Sequence, residues 1–214
     1  MSDLVLRIDG TEIRGKEGMT ILQAAEENGI RIPTLCHSPD LKPSGVCRVC
    51  LVEVQGSRTL VAACHTPVSR GMVVQTRSPK VLETRKTVIE LLLTAHTGSC
   101  VTDLNAKECA LHKLAAELEI SPPRFQVSEP RYYPPEDDNP YVRRDLSKCI
   151  LCRRCVGACD EIAQKHVLSV AYRGFQSKII ADMDGPLKKE VCKDCGICIP
   201  YCPTGALSKP LSVA

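Results

Sequence analysis

The chain has 214 residues, with no tryptophan, two phenylalanines, 15 prolines and 14 cysteines. Aromatic side chains usually supply much of a core's buried area, so this composition argues against one ordinary hydrophobic core and favours disulfides or metal as a stabilising element. The first residues show neither a secretory leader nor a twin-arginine signal, and the apolar run at 88–93 is too short to span a bilayer. We therefore expect a cytoplasmic protein without a transmembrane segment, in which clustered cysteines stay reduced and bind metal.

The first 78 residues alternate between strand and helix patterns. Strands are expected on both sides of Asp9-Gly10, a common hairpin dipeptide. A helical apolar pattern follows and stops at Asn28-Gly29. Alternating patterns predict further strands at 50–55, 59–64 and 72–76. This order of elements predicts a β-grasp sheet that holds one helix.

From residue 79 onwards the apolar period becomes helical. Helices are predicted at 79–96 and 108–119, within a small helical domain at 79–120. A proline-rich stretch at 121–140 is typical of a linker. The chain is therefore predicted to be α+β, and its last domain, 141–214, contains an internal repeat.

That repeat is a pair of four-cysteine runs, each with the spacing Cys-x2-Cys-x2-Cys-x3-Cys. In such runs three cysteines bind one 4Fe–4S cluster and the fourth binds the neighbouring cluster, whereas zinc sites use two separated pairs. We therefore predict two bacterial-ferredoxin-like 4Fe–4S clusters with crossed ligands. One is held by Cys149, Cys152, Cys155 and Cys202, and the other by Cys192, Cys195, Cys198 and Cys159.

A third set of cysteines lies in the predicted sheet domain, with the spacing Cys36-x10-Cys47-x2-Cys50-x13-Cys64. Four well-separated thiolates on the loops of a sheet suit a 2Fe–2S cluster, although the spacing is wider than in plant-type ferredoxins. A structural zinc ion is the alternative on spacing alone. We predict one 2Fe–2S cluster here, with Gly45 allowing backbone amides to approach the sulfurs.

Two cysteines, Cys100 and Cys109, remain after these assignments, and both follow His96 at the end of a predicted helix. A lone helical histidine is more often a surface or core residue than a ligand, but two unused cysteines nearby favour a third 4Fe–4S cluster. Its fourth ligand would be Asp103, between the two cysteines. The histidines not expected to bind metal are His37, His65, His112 and His166, with His112 as the reserve if Asp103 is not used.

The formal charge of +3 does not indicate nucleic-acid binding. Each fully thiolate-ligated, oxidised cluster carries about −2, so three of them bring the loaded protein to roughly −3. No glycine-rich phosphate loop follows a strand, so neither NAD nor flavin is expected to bind. No catalytic constellation of side chains stands out, so the chain is expected to have no active site of its own.

Three stretches together resemble one family: the run from Gly45 to Val54, His96-x3-Cys100, and the run from Asn139 to Asp145 before the repeat. They are similar to the N-terminal iron–sulfur region of the large electron-transfer subunit of complex I. Related regions occur in iron-only hydrogenases and NAD-dependent formate dehydrogenases, which continue into further domains. In length and cluster content the chain resembles the iron–sulfur (diaphorase-module) subunit of NAD(P)-linked nickel–iron hydrogenases.

This resemblance implies a complex in which a flavin subunit exchanges hydride with NAD(P), this chain relays single electrons, and the small and large hydrogenase subunits interconvert hydrogen and protons. A bifurcating form that also uses ferredoxin is one version. The alternatives are a relay subunit of a formate dehydrogenase or complex I-like assembly, and a free-standing polyferredoxin.

The chain departs from the family at Asp103, where the family has a cysteine. A carboxylate is a harder ligand than a thiolate, and iron–sulfur centres favour soft ligands. Three forms of this middle centre stay open: an Asp-ligated 4Fe–4S cluster, a cluster with a missing or water-ligated corner iron, and no cluster. A histidine ligand is expected to raise the reduction potential, as in Rieske centres.

Overall fold

The computed structural model describes residues 3–96, 109–120, 124–125 and 139–210. The chain divides into two compact units, one made of residues 1–35 and 47–89 and the other of residues 36–46 and 90–214. Strands and helices occur throughout the chain, which confirms the predicted α+β class. Within the described ranges, no helix has both the length and the apolar character needed to cross a membrane.

The first unit contains a five-stranded sheet. Its strands are β1 (Asp3–Ile8), β2 (Thr11–Lys16), β3 (Leu51–Val54), β4 (Val61–Ala62) and β5 (Val73–Gln75), in the spatial order β2-β1-β5-β3-β4. β1 pairs with β2 in antiparallel and with β5 in parallel orientation, and β3 is antiparallel to both β4 and β5.

The turn between β1 and β2 confirms the hairpin predicted at Asp9-Gly10. Both residues have positive φ, 47° and 83°, as a tight two-residue hairpin turn requires. β4 is shorter than the strand predicted at 59–64. The carbonyl of Ala62 accepts hydrogen bonds from the backbone N–H groups of His65 and Thr66, so the chain turns away from the sheet there.

One helix, α1 (Ile21–Glu27), packs on this sheet. Thr20 and Gln23 form a capping box at its start, and the chain leaves the helix at Asn28, as predicted. At Gly15 of β2, an added Cβ would stand 3.4 Å from the Cβ of Ala24, so helix and sheet are in close contact. The common core includes two of the predicted ligands, Cys50 and Cys64. Its other members are mainly aliphatic and include Leu6, Ile8, Ile13, Ile21, Leu22, Val52 and Val74.

Two further helices correspond to the predicted helical segments. α2 (Pro79–Thr94) begins with proline at its first position, where the missing N–H costs nothing, and the boundary between the two units falls after Ile89 within it. α3 (Ala110–Glu117) belongs to the second unit and buries Leu111, Leu114 and Ala115. Within the second unit, the guanidinium of Arg124 donates to both carboxylate oxygens of buried Glu90 at 2.7–3.0 Å.

The rest of the second unit contains the two four-cysteine runs. β6 (Arg143–Arg144) pairs with β9 (Leu207–Ser208), and β7 (Leu168–Ala171) pairs with β8 (Lys178–Ala181). Short helices α4 (Arg154–Gly157) and α5 (Lys189–Cys192) carry parts of the runs. Cysteines pack here among aliphatic side chains, which include Val142, Val167, Leu168, Ile179 and Leu187.

Residues 36–46 pack in this second unit. The backbone N–H of Lys42 donates to a carboxylate oxygen of Glu161 at 3.1 Å, and the hydroxyl of Ser44 donates to the carbonyl of Cys152 at 3.3 Å. The segment that begins with Cys36 is therefore held against the first four-cysteine run.

Candidate iron–sulfur centres

The two four-cysteine loops share one backbone turn. In the first loop Leu151 and Arg153 flank Cys152 with φ of 56° and 65°, and in the second Asp194 and Gly196 flank Cys195 with φ of 54° and 63°. Left-handed residues within such turns direct successive backbone N–H groups to one side, which makes a concave anion-binding surface. A non-glycine residue in this conformation costs about 1–2 kcal/mol, and such strain concentrates at functional sites.

The first predicted ligand set lines a single cavity. Cys149, Cys152, Cys155 and Cys202 all border it, and most of its other walls are apolar, including Leu146, Ile150, Ile179 and Leu207. Burial raises the pKa of Cys152 to about 12, and the neighbouring thiols of Cys202 and Cys149 add to the rise. Burial also raises the pKa of Cys155 well above its usual value. Four thiols that repel one another as thiolates suit a cationic iron centre, which would keep them ionised.

The second ligand set also lies together. Burial raises the pKa of Cys198 to about 12, with further contributions from Cys192, Cys159 and Cys195. Cys159 lies in a π-helical turn, Ala158–Ile162, a feature common at functional sites, and its sulfur lies 3.4 Å from the backbone N of Val167. The structure thus brings Cys202 to the first loop and Cys159 to the second.

Three of the four N-terminal ligands lie in the first unit. Cys47, Cys50 and Cys64 are buried, and the backbone N of Ala63 donates to the carbonyl of Cys50 at 3.1 Å, which holds Cys50 beside Cys64. Arg48 within the Cys-x2-Cys turn has a φ of 58°. Cys36 is also buried and begins the segment 36–46 of the second unit.

Arg85 is a residue of this site that the sequence did not single out. It is 4% exposed, and its guanidinium donates to the carbonyls of Val49 at 2.9 Å, Leu51 at 3.0 Å and Thr76 at 3.3 Å. Burial lowers the pKa of Arg85, and the nearby Cys50 opposes that shift. The only signal in the sequence is that Arg85 stands one helical turn from both Val81 and Ile89 on the apolar face of α2.

Two buried polar atoms in the described part of the chain have no hydrogen-bond partner: Nδ1 of His37 and Nε of Arg154. His37 follows Cys36 in the chain, and Arg154 precedes Cys155. Buried nitrogens of this kind normally find an acceptor. Their positions next to predicted ligands fit clusters whose sulfides and thiolates would accept such hydrogen bonds.

The middle site brings His96 and Cys109 together. The distance between His96 Nε2 and Cys109 Sγ is 3.7 Å, and both residues are buried. His96 Nδ1 lies 2.8 Å from the carbonyl oxygen of Lys148 and donates its proton there, which leaves Nε2 with the lone pair that binds metal. Cys100 and Asp103, the other two predicted ligands, lie outside the described residues.

A third side chain joins this pair. One ligand atom each of His96, Cys109 and His112 lie within 4.8 Å of one another. Burial lowers the pKa of both histidines, so both are neutral near pH 7. Of the remaining histidines, His65 is exposed, and His166 is exposed and lies 3.2 Å from a carboxylate oxygen of Asp160.

The middle site is fixed to the first four-cysteine site at two points. Lys148, which accepts the hydrogen bond from His96, precedes Cys149 in the chain. The backbone N of Ala110, which follows Cys109, donates to the carbonyl of Pro203 at 2.7 Å, and Pro203 follows Cys202. His96 is thus hydrogen-bonded to the residue before Cys149, and the residue after Cys109 is hydrogen-bonded to the residue after Cys202.

Two protein-family descriptions match the chain. The 2Fe-2S iron-sulfur cluster binding domain matches residues 2–79, and the ferredoxin-like domain of NADH-quinone oxidoreductase subunit 3 matches residues 139–208. Both a 2Fe–2S domain and a ferredoxin-like domain are therefore present.

Curated relatives align with almost the whole chain. The NADP-reducing hydrogenase subunit HndD of Solidesulfovibrio fructosivorans is 41% identical over 97% of this chain and 36% of its own length. The NADPH-Fe(3+) oxidoreductase subunit alpha of Geobacter sulfurreducens is 39% identical over 96% of this chain and 24% of its own length. An NADH-quinone oxidoreductase subunit of Rhizobium meliloti is 35% identical over 94% of this chain and 23% of its own length. The chain thus spans only 23–36% of the length of these relatives.

A solved structure has the same fold. One chain in the crystal structure of an NAD+-reducing NiFe hydrogenase in the H2-reduced state superposes with a TM-score of 0.85 at 27% identity, covering 99% of this chain and 89% of that chain. These matches confirm the resemblance to iron–sulfur subunits of NAD(P)-linked hydrogenases and of complex I. The chain therefore contains one domain that matches the 2Fe-2S iron-sulfur cluster binding domain and one that matches the ferredoxin-like domain of NADH-quinone oxidoreductase subunit 3.

Proposed function

We propose that this chain is an electron-transfer subunit that relays electrons between a flavin- and NAD(P)-binding subunit and the hydrogenase subunits of a cytoplasmic complex. The choice of partners is supported by relatives described as an NADP-reducing hydrogenase subunit and an NAD+-reducing NiFe hydrogenase.

The observation that supports a relay most directly is the pair of hydrogen bonds between the middle site and the first four-cysteine site. His96 is held by Lys148 beside Cys149, and Ala110 is held by Pro203 beside Cys202. A protein that only stored clusters would have no need to hold two metal sites at a fixed distance from each other. Fixed spacing is what outer-sphere electron transfer requires of the protein.

The proposed ligand sets are those predicted from the sequence. Bound iron–sulfur clusters would supply one-electron redox chemistry. The cysteines hold the metal as thiolates, and the aliphatic walls around Cys149, Cys152, Cys155 and Cys202 keep water away from them. The guanidinium of Arg85 fixes the Cys47–Cys50 turn through Val49 and places a positive charge near Cys50. Such a charge stabilises the reduced state of an anionic centre.

Copurification from the native cell under anaerobic conditions tests the proposed partners. We expect this chain to be recovered with a flavin subunit and a nickel-containing subunit, and the purified complex to reduce NAD(P) with hydrogen. Recovery as a lone monomer without flavin or nickel would contradict the proposal and favour a free-standing polyferredoxin.

A second candidate is the same relay role in a complex I-like or formate dehydrogenase assembly. The match of residues 139–208 to the NADH-quinone oxidoreductase ferredoxin-like domain favours it. In this case the copurifying partners would be a quinone module or a molybdenum subunit, and nickel would be absent.

A further inference from the structure

A cavity of about 760 Å³ opens at one end of the five-stranded sheet in the first unit. Arginines from three separate places line it: Arg7 lies on β1, Arg31 in the loop after α1, and Arg77 in the loop after β5. Among its lining residues the only carboxylate is that of Asp9. The lining of this arginine cavity therefore carries three positive charges and one negative charge.

The path of the backbone explains why these side chains meet. β1 and β5 are neighbouring parallel strands, so the segments that follow them lie at the same edge of the sheet. Asp9 follows β1 and Thr76 follows β5. The carboxylate of Asp9 accepts hydrogen bonds from the backbone N–H of Thr76 at 2.7 Å and from its hydroxyl at 2.5 Å. The residue before Arg77 is thereby fixed to the end of β1.

A fourth guanidinium lies behind the wall of the cavity. Arg85 is buried and donates to the carbonyl of Thr76 at 3.3 Å. Burial lowers the pKa of Arg85, and the positive charge of Arg77 lowers it further. Like charges at such positions repel one another, and an anion bound at Arg77 would reduce that repulsion. The electrostatics of this edge of the sheet therefore favour a negatively charged occupant.

The exposure of the three arginines distinguishes two kinds of anionic occupant. A guanidinium binds both carboxylates and phosphates in bidentate fashion. Sites for small molecules bury about 70–90% of the ligand surface, whereas Arg7, Arg31 and Arg77 are all exposed. Arginine is enriched where proteins contact each other, and complementary charges there steer association. An acidic protein segment therefore fits this open cavity better than a small phosphorylated molecule does.

We propose that the arginine cavity docks a segment of a partner protein that is rich in aspartate or glutamate. This goes beyond the relay function, because it concerns how the chain recognises another protein and not which redox centres it holds. Attraction between exposed charges acts mainly on the rate of association and is screened by salt. Docking at this surface should therefore be fastest at low ionic strength.

The first test measures binding of an octaglutamate peptide to the full, cluster-loaded chain at low ionic strength, with octaglutamine as the uncharged control. The cavity variant combines Arg7→Gln, Arg31→Gln and Arg77→Gln. The matched control variant replaces three exposed arginines of the same unit that do not line the cavity: Arg14, Arg58 and Arg70. We expect the peptide to bind about tenfold more weakly to the cavity variant and with unchanged affinity to the control variant. Equal weakening in both would mean nonspecific attraction and would overturn the proposal.

Inorganic phosphate distinguishes a protein segment from a small anion. We expect phosphate to compete with octaglutamate only weakly, as a salt does. Phosphate that binds the native chain more tightly than the peptide does would identify a small-anion site and overturn the proposal. The EPR signals of the clusters, retained in the cavity variant, would show that it folds. Arg77→Lys keeps the charge and should bind the peptide nearly as well as the native chain, which gives a second variant for the same comparison.

The same Arg77→Lys substitution allows the partner to be identified in the native complex. A carbodiimide joins an amine to a carboxylate as an amide, which an arginine cannot form under these conditions. We expect mass spectrometry to find a crosslink from position 77 to an aspartate or glutamate of another subunit, and none from position 70 in Arg70→Lys. A complex with flavin and nickel subunits but no crosslink at position 77 would overturn this proposal alone.

A crosslink at position 77 within a complex that lacks flavin and nickel would refute the proposed partners and leave the docking surface intact. Recovery of the chain as a lone monomer would contradict both proposals.

Discussion

Nδ1 of His96 lies 2.8 Å from the carbonyl oxygen of Lys148, the residue immediately before Cys149. A histidine two residues after the end of α2 is thereby oriented by the backbone of a loop 52 residues later in the chain. The same hydrogen bond selects the tautomer of the ring, because it takes the proton on Nδ1 and leaves Nε2 to bind metal. A change at either residue should therefore be detectable at the middle site.

His96→Cys should keep the middle centre but lower its reduction potential. A thiolate adds a negative charge where the imidazole had none, and the expected shift is on the order of 100 mV or more. Potentiometric titration followed by EPR measures it. An unchanged set of midpoint potentials would show that His96 does not bind iron.

Cys202→Ser and Cys159→Ser should remove different signals. Cys202 lines the cavity of Cys149, Cys152 and Cys155, whereas Cys159 lies beside Cys192 and Cys198. We therefore expect Cys202→Ser to perturb the same EPR signal as Cys149→Ser, and Cys159→Ser the same signal as Cys192→Ser. The opposite pairing would mean that each run holds its own cluster without crossing.

Arg85→Met should destabilise the first unit and lower the potential of the 2Fe–2S centre. The variant removes the guanidinium that donates to the buried carbonyls of Val49 and Thr76, which costs about 3 kcal/mol of unfolding free energy, and it removes a positive charge near Cys50. Denaturant unfolding and redox titration measure the two effects. The exposed neighbour in Lys86→Met is the control; equal effects of the two variants would exclude a special role for Arg85.

Gly196→Ala should destabilise the loaded protein by about 1 kcal/mol, because Gly196 has a φ of 63° that an alanine adopts only with strain. An added Cβ would lie 3.5 Å from Ile199 Cδ1, which is an ordinary van der Waals contact. The loss of stability therefore comes from the backbone conformation and not from a steric clash. Gly185→Ala, where the Cβ would face open space without a positive φ, should be close to neutral. Thermal unfolding compares them, and a neutral Gly196→Ala would argue against the shared loop turn.

The iron-free protein should lose stability as the pH rises above about 9. The folded chain raises the pKa of Cys152 and Cys198 from 9.0 to about 12. Between these values the unfolded thiols have lost protons that the folded ones retain, so rising pH favours unfolding. The contribution of these two thiols to the free energy of unfolding is fully present below pH 9 and is lost as the pH rises to about 12. Urea unfolding at several pH values measures the slope, which should be absent in the iron-loaded protein because its thiolates are already ionised.

Local pattern was sufficient to predict the hairpin at Asp9-Gly10, the helix stop at Asn28 and the position of α3. Cysteine spacing grouped Cys149 and Cys202 in one predicted ligand set, and the structure places both at one cavity; their binding of a shared cluster stays a prediction. Arg85 was not foreseen, because its acceptors, Val49 and Leu51, are more than 30 residues away. The hydrogen bond from Ala110 to Pro203 is a tertiary contact of the same kind. Its backbone groups carry no side-chain signature that a sequence could show.

The short ladder between β6 and β9 has a consequence for how this module can be used. Arg143, just before the first four-cysteine run, pairs with Ser208, just after the second. The polypeptide therefore enters and leaves the region of the two four-cysteine runs at the same edge. Such a module can be placed inside a longer polypeptide with little distortion, because the flanking segments need not span it. The same domain can therefore occur within relatives of very different lengths.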